Sequence, residues 1–470
     1  MKRLGAAAVL LVSLSVSTAP AQADVGPSAD YESAYRIGRQ AYLYGLPLLT
    51  TNQTFLTMTS TNVPQGAYGP VNHVNSVRTA NTASSTAVVA PGASSLSSIA
   101  WLDLTDGALV LHVPKVTDRA FVLALLDPYT TNLVNLGSAS GTAPGDYVIR
   151  YGGQRSVAIP RGTHAVNVDY SRIWMVGSTQ LKGPGDVAAV NAVQDGYTLT
   201  PLSDFVAGTT PSLPAPTQPT ITPSAMPSGV DFFDTLGQLL AQFPPPARDA
   251  PALRSFATVG VGPGMAPSSD PLLSADTLQG LADAVADGPA LVKEATAALL
   301  RTDYPHHNGY LLGGFGSYGT DYTERAVISQ IGLGAFTPGQ AIYAMTWIDH
   351  AKAALDGSQR YVLHLPKAPP SREGWSLTLY SVRGGLMANP FNRYAFTDTS
   401  LLTRNRDGSV DIYLQATAPA RASQRRNWLP VTAGQGFEVT WRLFAPDRTD
   451  IPGILSGSGW QPPVVTRVGP

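Results

Sequence analysis

The chain has 470 residues, a formal net charge of −1 and only 13% charged residues, so it carries no acidic or basic field that would attract nucleic acid or an anionic membrane. With no cysteine it can form no disulfide, thiolate zinc site, iron–sulfur cluster or cysteine nucleophile. Its 45 glycines and 39 prolines call for many turns and short strands and exclude an all-helical bundle.

In chain order, Met1-Lys2-Arg3 is a short basic start, Leu4 to Val16 an apolar run and Ala21-Gln22-Ala23 a small-residue cleavage signal, which together predict a secretory signal peptide over 1–23. No later window holds 18 uninterrupted apolar residues, so the expected product is exported, soluble and free of the membrane after cleavage. Tyr31 to Leu49 has helical spacing (Tyr35, Ala41, Tyr42, Leu46) and is expected to end at Gly45-Leu46-Pro47, because proline disfavours helix in the residue before it. Short apolar runs follow, at Leu109 to Val113, Ala120 to Leu126, Tyr147 to Arg150 and Ile173 to Val176, and predict antiparallel strands. Together with the opening helix they define a first domain over 24–207. Gly208 to Gly229 holds six prolines, which favour extended chain. Helices are predicted at Asp231 to Gln242 and as one stretch from Ser274 to Arg301, completing a connector over 208–308. From Gly309 the strand pattern returns to the end, giving a second domain over 309–470.

The two strand-rich regions repeat one another. Trp101-Leu102-Asp103, then Val110-Leu111-His112-Val113-Pro114-Lys115, matches Trp347-Ile348-Asp349, then Val362-Leu363-His364-Leu365-Pro366-Lys367. The extra spacing in the second copy falls around Asp356-Gly357, a turn signal where insertion costs little. The expected fold is therefore mainly β: two tandem antiparallel β-sandwich domains of the jelly-roll kind, joined by the Pro-rich linker and helices.

Tyr42-Leu43-Tyr44-Gly45-Leu46-Pro47, Ala100-Trp101-Leu102-Asp103-Leu104, Leu126-Asp127-Pro128-Tyr129-Thr130-Thr131-Asn132 and Gln194-Asp195-Gly196-Tyr197 resemble the bacterial domain-of-unknown-function family 1254. Tyr318-Gly319-Thr320-Asp321-Tyr322 with Arg325-Ala326, Trp375-Ser376-Leu377, Asn389 with Asn392-Arg393-Tyr394, Asp407-Gly408-Ser409 and Asn427-Trp428-Leu429-Pro430 resemble family 1214, its usual C-terminal companion. The resemblance implies two β-sandwich domains with helices between them and assembly as a homotrimer; it brings no established reaction. Two positions depart from the pattern. Pro91-Gly92-Ala93-Ser94-Ser95 stands where the first family carries proline-asparagine-x-aspartate-threonine, and Ser178-Thr179 where an arginine often follows the later strand.

Gly314-Phe315-Gly316-Ser317-Tyr318-Gly319 satisfies G-x-G-x-x-G, but no βαβ unit precedes it, so it reads as a close-packing turn at a helix start and not as a dinucleotide site. His306, His307 and His350, with Asp349, lack metal-ligand spacing, and these histidines read as exposed loop residues, while His112 and His364 read as hydrogen-bonded strand residues. Asp407-Gly408 reads as a hairpin turn. The set Asp321, Tyr322, Arg325, Trp375, Asn392, Arg393, Asn427 and Trp428 offers bidentate arginine donors and flat apolar rings suited to a small-molecule or glycan ligand. The residues thus point to an exported binding or assembly protein with no cofactor and no nucleic-acid partner. The alternative is a secreted hydrolase or lyase using Asp321, His350 and Arg393.

Overall fold

The computed structural model describes residues 27–85, 90–211, 213–303 and 307–469; the predicted signal peptide lies outside them. The chain opens with α1 (Ala29–Met58), followed by β1 (Asn75–Ser76), β2 (Ser95–Asp103), β3 (Leu109–Val113), β4 (Phe121–Leu126), β5 (Asn132–Gly137), β6 (Gly145–Tyr151), β7 (His164–Val168) and β8 (Arg172–Gln180). Next come α2 (Val187–Asp195), β9 (Thr198–Pro201) and α3 (Leu202–Ala207). A Pro-rich arm then leads to α4 (Asp231–Gln242), α5 (Ala250–Ala257), α6 (Ala275–Ala286) and α7 (Gly288–Asp303). The second half holds β10 (Leu311–Leu312), α8 (Tyr322–Ile331), β11 (Ala341–Thr346), β12 (Arg360–Leu365), β13 (Trp375–Ser381), β14 (Ala395–Thr397) and β15 (Val410–Gln415). It ends with α9 (Ala422–Arg426), β16 (Trp428–Pro430), β17 (Phe437–Phe444), α10 (Ile451–Ser456) and β18 (Val465–Gly469).

The repeat seen in the sequence is a repeat of wiring. The first half forms sheets ordered β1-β2-β8-β4-β5 and β7-β6-β3-β9; the second forms β10-β11-β17-β13-β14 and β16-β15-β12-β18, the same orders with every strand number raised by nine. His112 and His364 fall at equivalent places on β3 and β12. Each Nδ1 lies 2.7 Å from an aspartate Oδ1 on the adjoining antiparallel strand, Asp146 and Asp411 respectively.

The content is not mainly β, however: the chain is 29% helical and 25% strand. Helix also enters the predicted strand region beyond Gly309, as α8, α9 and α10. Nor are the sheets wholly antiparallel, because β6 with β7 and β15 with β16 pair in parallel. The predicted opening helix runs on past Pro47 to Met58. Ser28 caps its N-terminus by accepting from Tyr31 N at 3.2 Å, and Thr51 Oγ1 donates to the Pro47 carbonyl at 2.8 Å. A mid-helix proline costs about 3 kcal/mol. Burial of Leu46, Pro47, Leu48 and Leu49 offsets that cost, since each buried aliphatic side chain contributes about 1.5–3 kcal/mol. The stretch predicted as one helix from Ser274 to Arg301 is two, broken at Asp287-Gly288 where the backbone passes against the Tyr42 ring.

Helices α4, α6 and α8 pack on α1 and join the first core: Phe232, Phe233, Leu236, Leu281 and Val327 share a cluster with Leu111 of β3 and Leu123 of β4. A second cluster unites Leu363 of β12 with Leu377 of β13 and Trp441 of β17. The other faces of the two five-stranded sheets are covered as well, which explains why Phe121–Leu126 and Phe437–Leu443 are buried residue after residue.

That cover comes from an exchange. The segment between β1 and β2 crosses to the second half, where Ala90 N bonds Gly384 O at 2.9 Å and Pro91 O accepts from Tyr380 Oη at 2.9 Å. The corresponding segment between β10 and β11 crosses the other way: Asn132 Nδ2 of the first half donates to Ala335 O at 3.0 Å, and α8 packs against α1.

Candidate functional site: the cleft between the halves

Alternation along β17 sends Phe437, Val439, Trp441 and Leu443 into the second core and Glu438, Thr440, Arg442 and Phe444 to the opposite face. Cross-strand register places Tyr343 and Ser376 on either side of Arg442, and Met345 and Thr378 on either side of Thr440. This face looks onto a cleft of about 110 Å³ between the halves. Ile99, Trp174 and Val176 of the first half form the facing wall, and the crossing segments 90–95 and 331–336 also line it. The Trp174 ring stacks on Trp101 with centroids 5.0 Å apart and planes 2° from parallel. Gly334 has a φ of +80° and would bring a Cβ to 3.2 Å from the Trp174 ring, so both backbone and space favour glycine there. Past Ser94, Ser178 and Phe444 a smaller pocket continues to Glu373, whose carboxyl burial pushes up and which accepts from Ser138 Oγ at 2.9 Å.

Arg442 is 8% exposed. Its Nη2 donates to Ala90 O at 2.9 Å, and its guanidinium carbon lies 5.7 and 5.3 Å from the Tyr343 and Tyr380 ring centroids. Its Nη1 has no hydrogen-bond partner among the described residues, nor do the hydroxyls of Ser376 and Thr378 beside it. Glu438, deeper on the same strand, accepts from the Thr440 hydroxyl. Burial pushes its carboxyl up to about 7, with Thr440 and then Arg442 opposing the shift. The face therefore sets a permanent cation beside a carboxyl that is partly neutral near pH 7 and two unsatisfied hydroxyls. Unpaired polar groups at this depth are costly; of these residues Arg442 and Thr440 line the cleft, whereas Ser376, Thr378 and Glu438 lie behind its wall.

The eight residues singled out from sequence do not form one site. Asp321 caps α8 by accepting from Glu324 N at 2.8 Å, and Tyr322 Oη donates to Asp249 at 2.9 Å. Arg325 is buried with its guanidinium carbon 5.1 to 5.4 Å from the ring centroids of Tyr44, Tyr322 and Tyr129. These three therefore belong to the seam between α8 and the first core. Trp375 lies in the second core with its ring centroid 5.4 Å from that of Trp441. Asn392 accepts from Tyr394 Oη at 2.7 Å, and Arg393 Nη1 donates to the carbonyls of Arg425 and Trp428 at 3.1 and 3.2 Å. Asn427 is buried and bonds Thr403 and Asp411, while Trp428 Nε1 donates to Gln415 O at 2.8 Å.

Among the remaining sequence candidates, the glycine-rich stretch is the turn ahead of α8, with positive φ at Gly316 and Gly319. Asp407-Gly408 is likewise a turn, with Gly408 at a φ of +87°. His306 lies outside the described residues, and His307, expected to be exposed, is buried with Nε2 2.9 Å from Leu455 O. Among the described residues no group of three histidines or carboxylates is placed to hold a metal ion.

Sequence reasoning missed Glu438, Thr440 and Arg442. The available signal was their spacing, three polar residues at every second position of an otherwise apolar strand. Ser94 and Ser178, the departures from the family pattern, both line the cleft, and strand register makes Ser178 the counterpart of Arg442 in the first half.

Two halves with one wiring, a shared helical layer and a cleft between them define a duplicated strand-and-helix protein. Residues 71–201 match the family described as protein of unknown function DUF1254, and residues 340–448 match the family described as protein of unknown function DUF1214. A Vibrio parahaemolyticus protein of known crystal structure is similar along 93% of this chain and 100% of its own, with 22% identity and a TM-score of 0.63, and shares the fold. An uncharacterised Burkholderia cenocepacia protein aligns over 94% of this chain and 96% of its own at 13% identity and a TM-score of 0.44. No curated protein matches the sequence.

Proposed function

We propose that this is an exported, soluble small-molecule-binding protein whose site is the cleft between the halves. In this reading 24–207 and 309–470 are β-sandwich domains of jelly-roll wiring, 208–308 connects them, and the protein assembles as a homotrimer, as the family resemblance implies. Export rests on the leader sequence at 1–23; among the described residues no helix is long and apolar enough to cross a membrane.

The observation that carries the binding reading is Arg442, a buried cation lining a cleft whose other polar groups are neutral hydroxyls, with its Nη1, buried behind the wall, left without a hydrogen-bond partner among the described residues. Titration of the purified protein with indole, benzamide and benzoate tests it. At least one ring compound should bind, and Ser97→Trp, which fills the cleft, should abolish that binding. Absence of binding by all three, or binding that survives the substitution, would overturn the reading.

The enzymatic alternative loses its original residues, because Asp321, His350 and Arg393 are engaged with different partners. It gains Glu438, a carboxyl able to exchange a proton near neutral pH. Glu438 does not line the cleft, which favours binding over turnover.

A further inference from the structure

We infer that the cleft takes a small organic monoanion: a monocarboxylate on a flat apolar skeleton, its carboxylate seated on Arg442. The inference rests on the cleft being the binding site and adds the chemistry of what enters it.

Charge is the first argument. A guanidinium is always ionised, and here its one hydrogen-bonded backbone partner, Ala90 O, is neutral. Tyr343 and Tyr380 present ring faces that stabilise the cation without neutralising it. Glu438 neutralises it only in part, since burial keeps that carboxyl protonated for much of the time near pH 7. A carboxylate in the cleft would meet the guanidinium on its exposed edge, where a charge-assisted bond is about twice as strong as a neutral one.

The count of charges is the second argument. Arg442 is the one basic residue lining the cleft among the described residues. Its counterpart in the first half is Ser178, so a hydroxyl stands where twofold repetition would have set another cation. At the far end a second anionic group would meet Glu373. A dianion therefore gains one partner and meets one repulsion.

Size and shape complete the class. An engineered closed cavity of about 150 Å³ holds benzene; at about 110 Å³ the cleft is smaller, so its occupant is no larger than one ring or an equivalent flat skeleton and keeps part of itself at the open mouth. Trp174, Phe336 and Phe444 supply flat apolar walls for it.

The test is calorimetric titration of the purified protein with benzoate, its neutral isostere benzamide, the cation benzylamine, acetate and inorganic phosphate. Benzoate should bind about tenfold or more tighter than benzamide, with benzylamine and acetate weaker still. Arg442→Gln should bring benzoate down to the benzamide level and leave benzamide unchanged; Arg442→Lys should fall between. If the glutamine variant does not fold, the benzoate-to-benzamide ratio in wild type and the lysine variant carries the test. Benzamide binding as well as benzoate would overturn the anion class and leave the cleft reading standing. Phosphate binding as well as benzoate would overturn the organic skeleton. Failure of benzoate, benzamide and indole alike, or benzoate binding retained in Ser97→Trp, would overturn both readings.

Discussion

Glu438 ties the buried polar face to pH. Its carboxyl is held at about 7 in the folded protein against 4.5 for an ordinary glutamate. It therefore stays protonated where the unfolded chain has already ionised. The stability this contributes is full below about pH 4.5 and is lost as pH rises through about 7, about 3 kcal/mol in all. Asp127, pushed up to about 6 by burial, acts in the same direction. Urea denaturation across pH 5 to 8 should show stability falling, and Glu438→Gln, which keeps an acceptor for Thr440, should flatten the fall. An unchanged slope would place the ionisation elsewhere. Arg325 makes the complementary case. Surrounded by Tyr44, Tyr129 and Tyr322, it should cost about 2 kcal/mol in urea denaturation when replaced by methionine, because the buried ring faces lose their cation and the Asp127 carboxyl loses a favourable charge nearby. The sequence singled out Arg325 as a ligand-binding donor, and the structure sets it among tyrosine rings at the seam of α8. Nothing local to Asp321-Tyr322-Arg325 says that α8 returns to pack on the half of the chain it has already left.

At the scale of elements, local propensity and tertiary contact disagree at two instructive points. Gly288 separates α6 from α7, and helix propensity alone makes Gly288→Ala stabilising by about 1 kcal/mol. A Cβ there would lie 2.2 Å from the Tyr42 ring, so the substitution should instead destabilise, as a falling melting temperature would register. Pro47 is the reverse case, a residue that should end α1 and is overruled by the helices packed around it. Both errors in the sequence reading share a cause: helix ends were judged from neighbours in sequence, while tertiary packing decides them, against α4 and α6 at Pro47 and against Tyr42 of α1 at Gly288. Where an element depends on its own turn chemistry or alternation, it was legible. The strand Leu109–Val113 and the helix Asp231–Gln242 have the predicted bounds, and Asp407-Gly408 forms the predicted turn. Arg393 belongs to this scale too. Its two bonds to backbone carbonyls hold α9 against β16, so Arg393→Ala should cost about 1–2 kcal/mol in chemical denaturation.

Across the molecule, the duplicated wiring was legible from the six-residue repeat around His112 and His364, whereas the exchange of segments was not. Repetition in sequence reports what each half builds for itself; it carries no sign of which half a loop will cover. For the same reason the cleft went unseen, since it exists only where the two outer faces meet. Calorimetry should record a single unfolding transition, because each half completes the burial of the other; two resolved transitions would mean the halves fold independently. Light scattering tests the proposed homotrimer, and mass spectrometry of the expressed protein tests the proposed leader, whose cleavage should leave a chain beginning at Asp24.

The Pro-rich arm lies outside this mutual enclosure, running back along the end of α1, where Asn62 Nδ2 donates to Ala215 O at 2.7 Å and Gln65 Nε2 to Pro219 O. A protease that severs it would cut covalent continuity without disentangling anything. The two fragments should elute together as a nicked but intact particle, still clasped by α4, α6 and α8 on one side and by the 90–95 segment on the other.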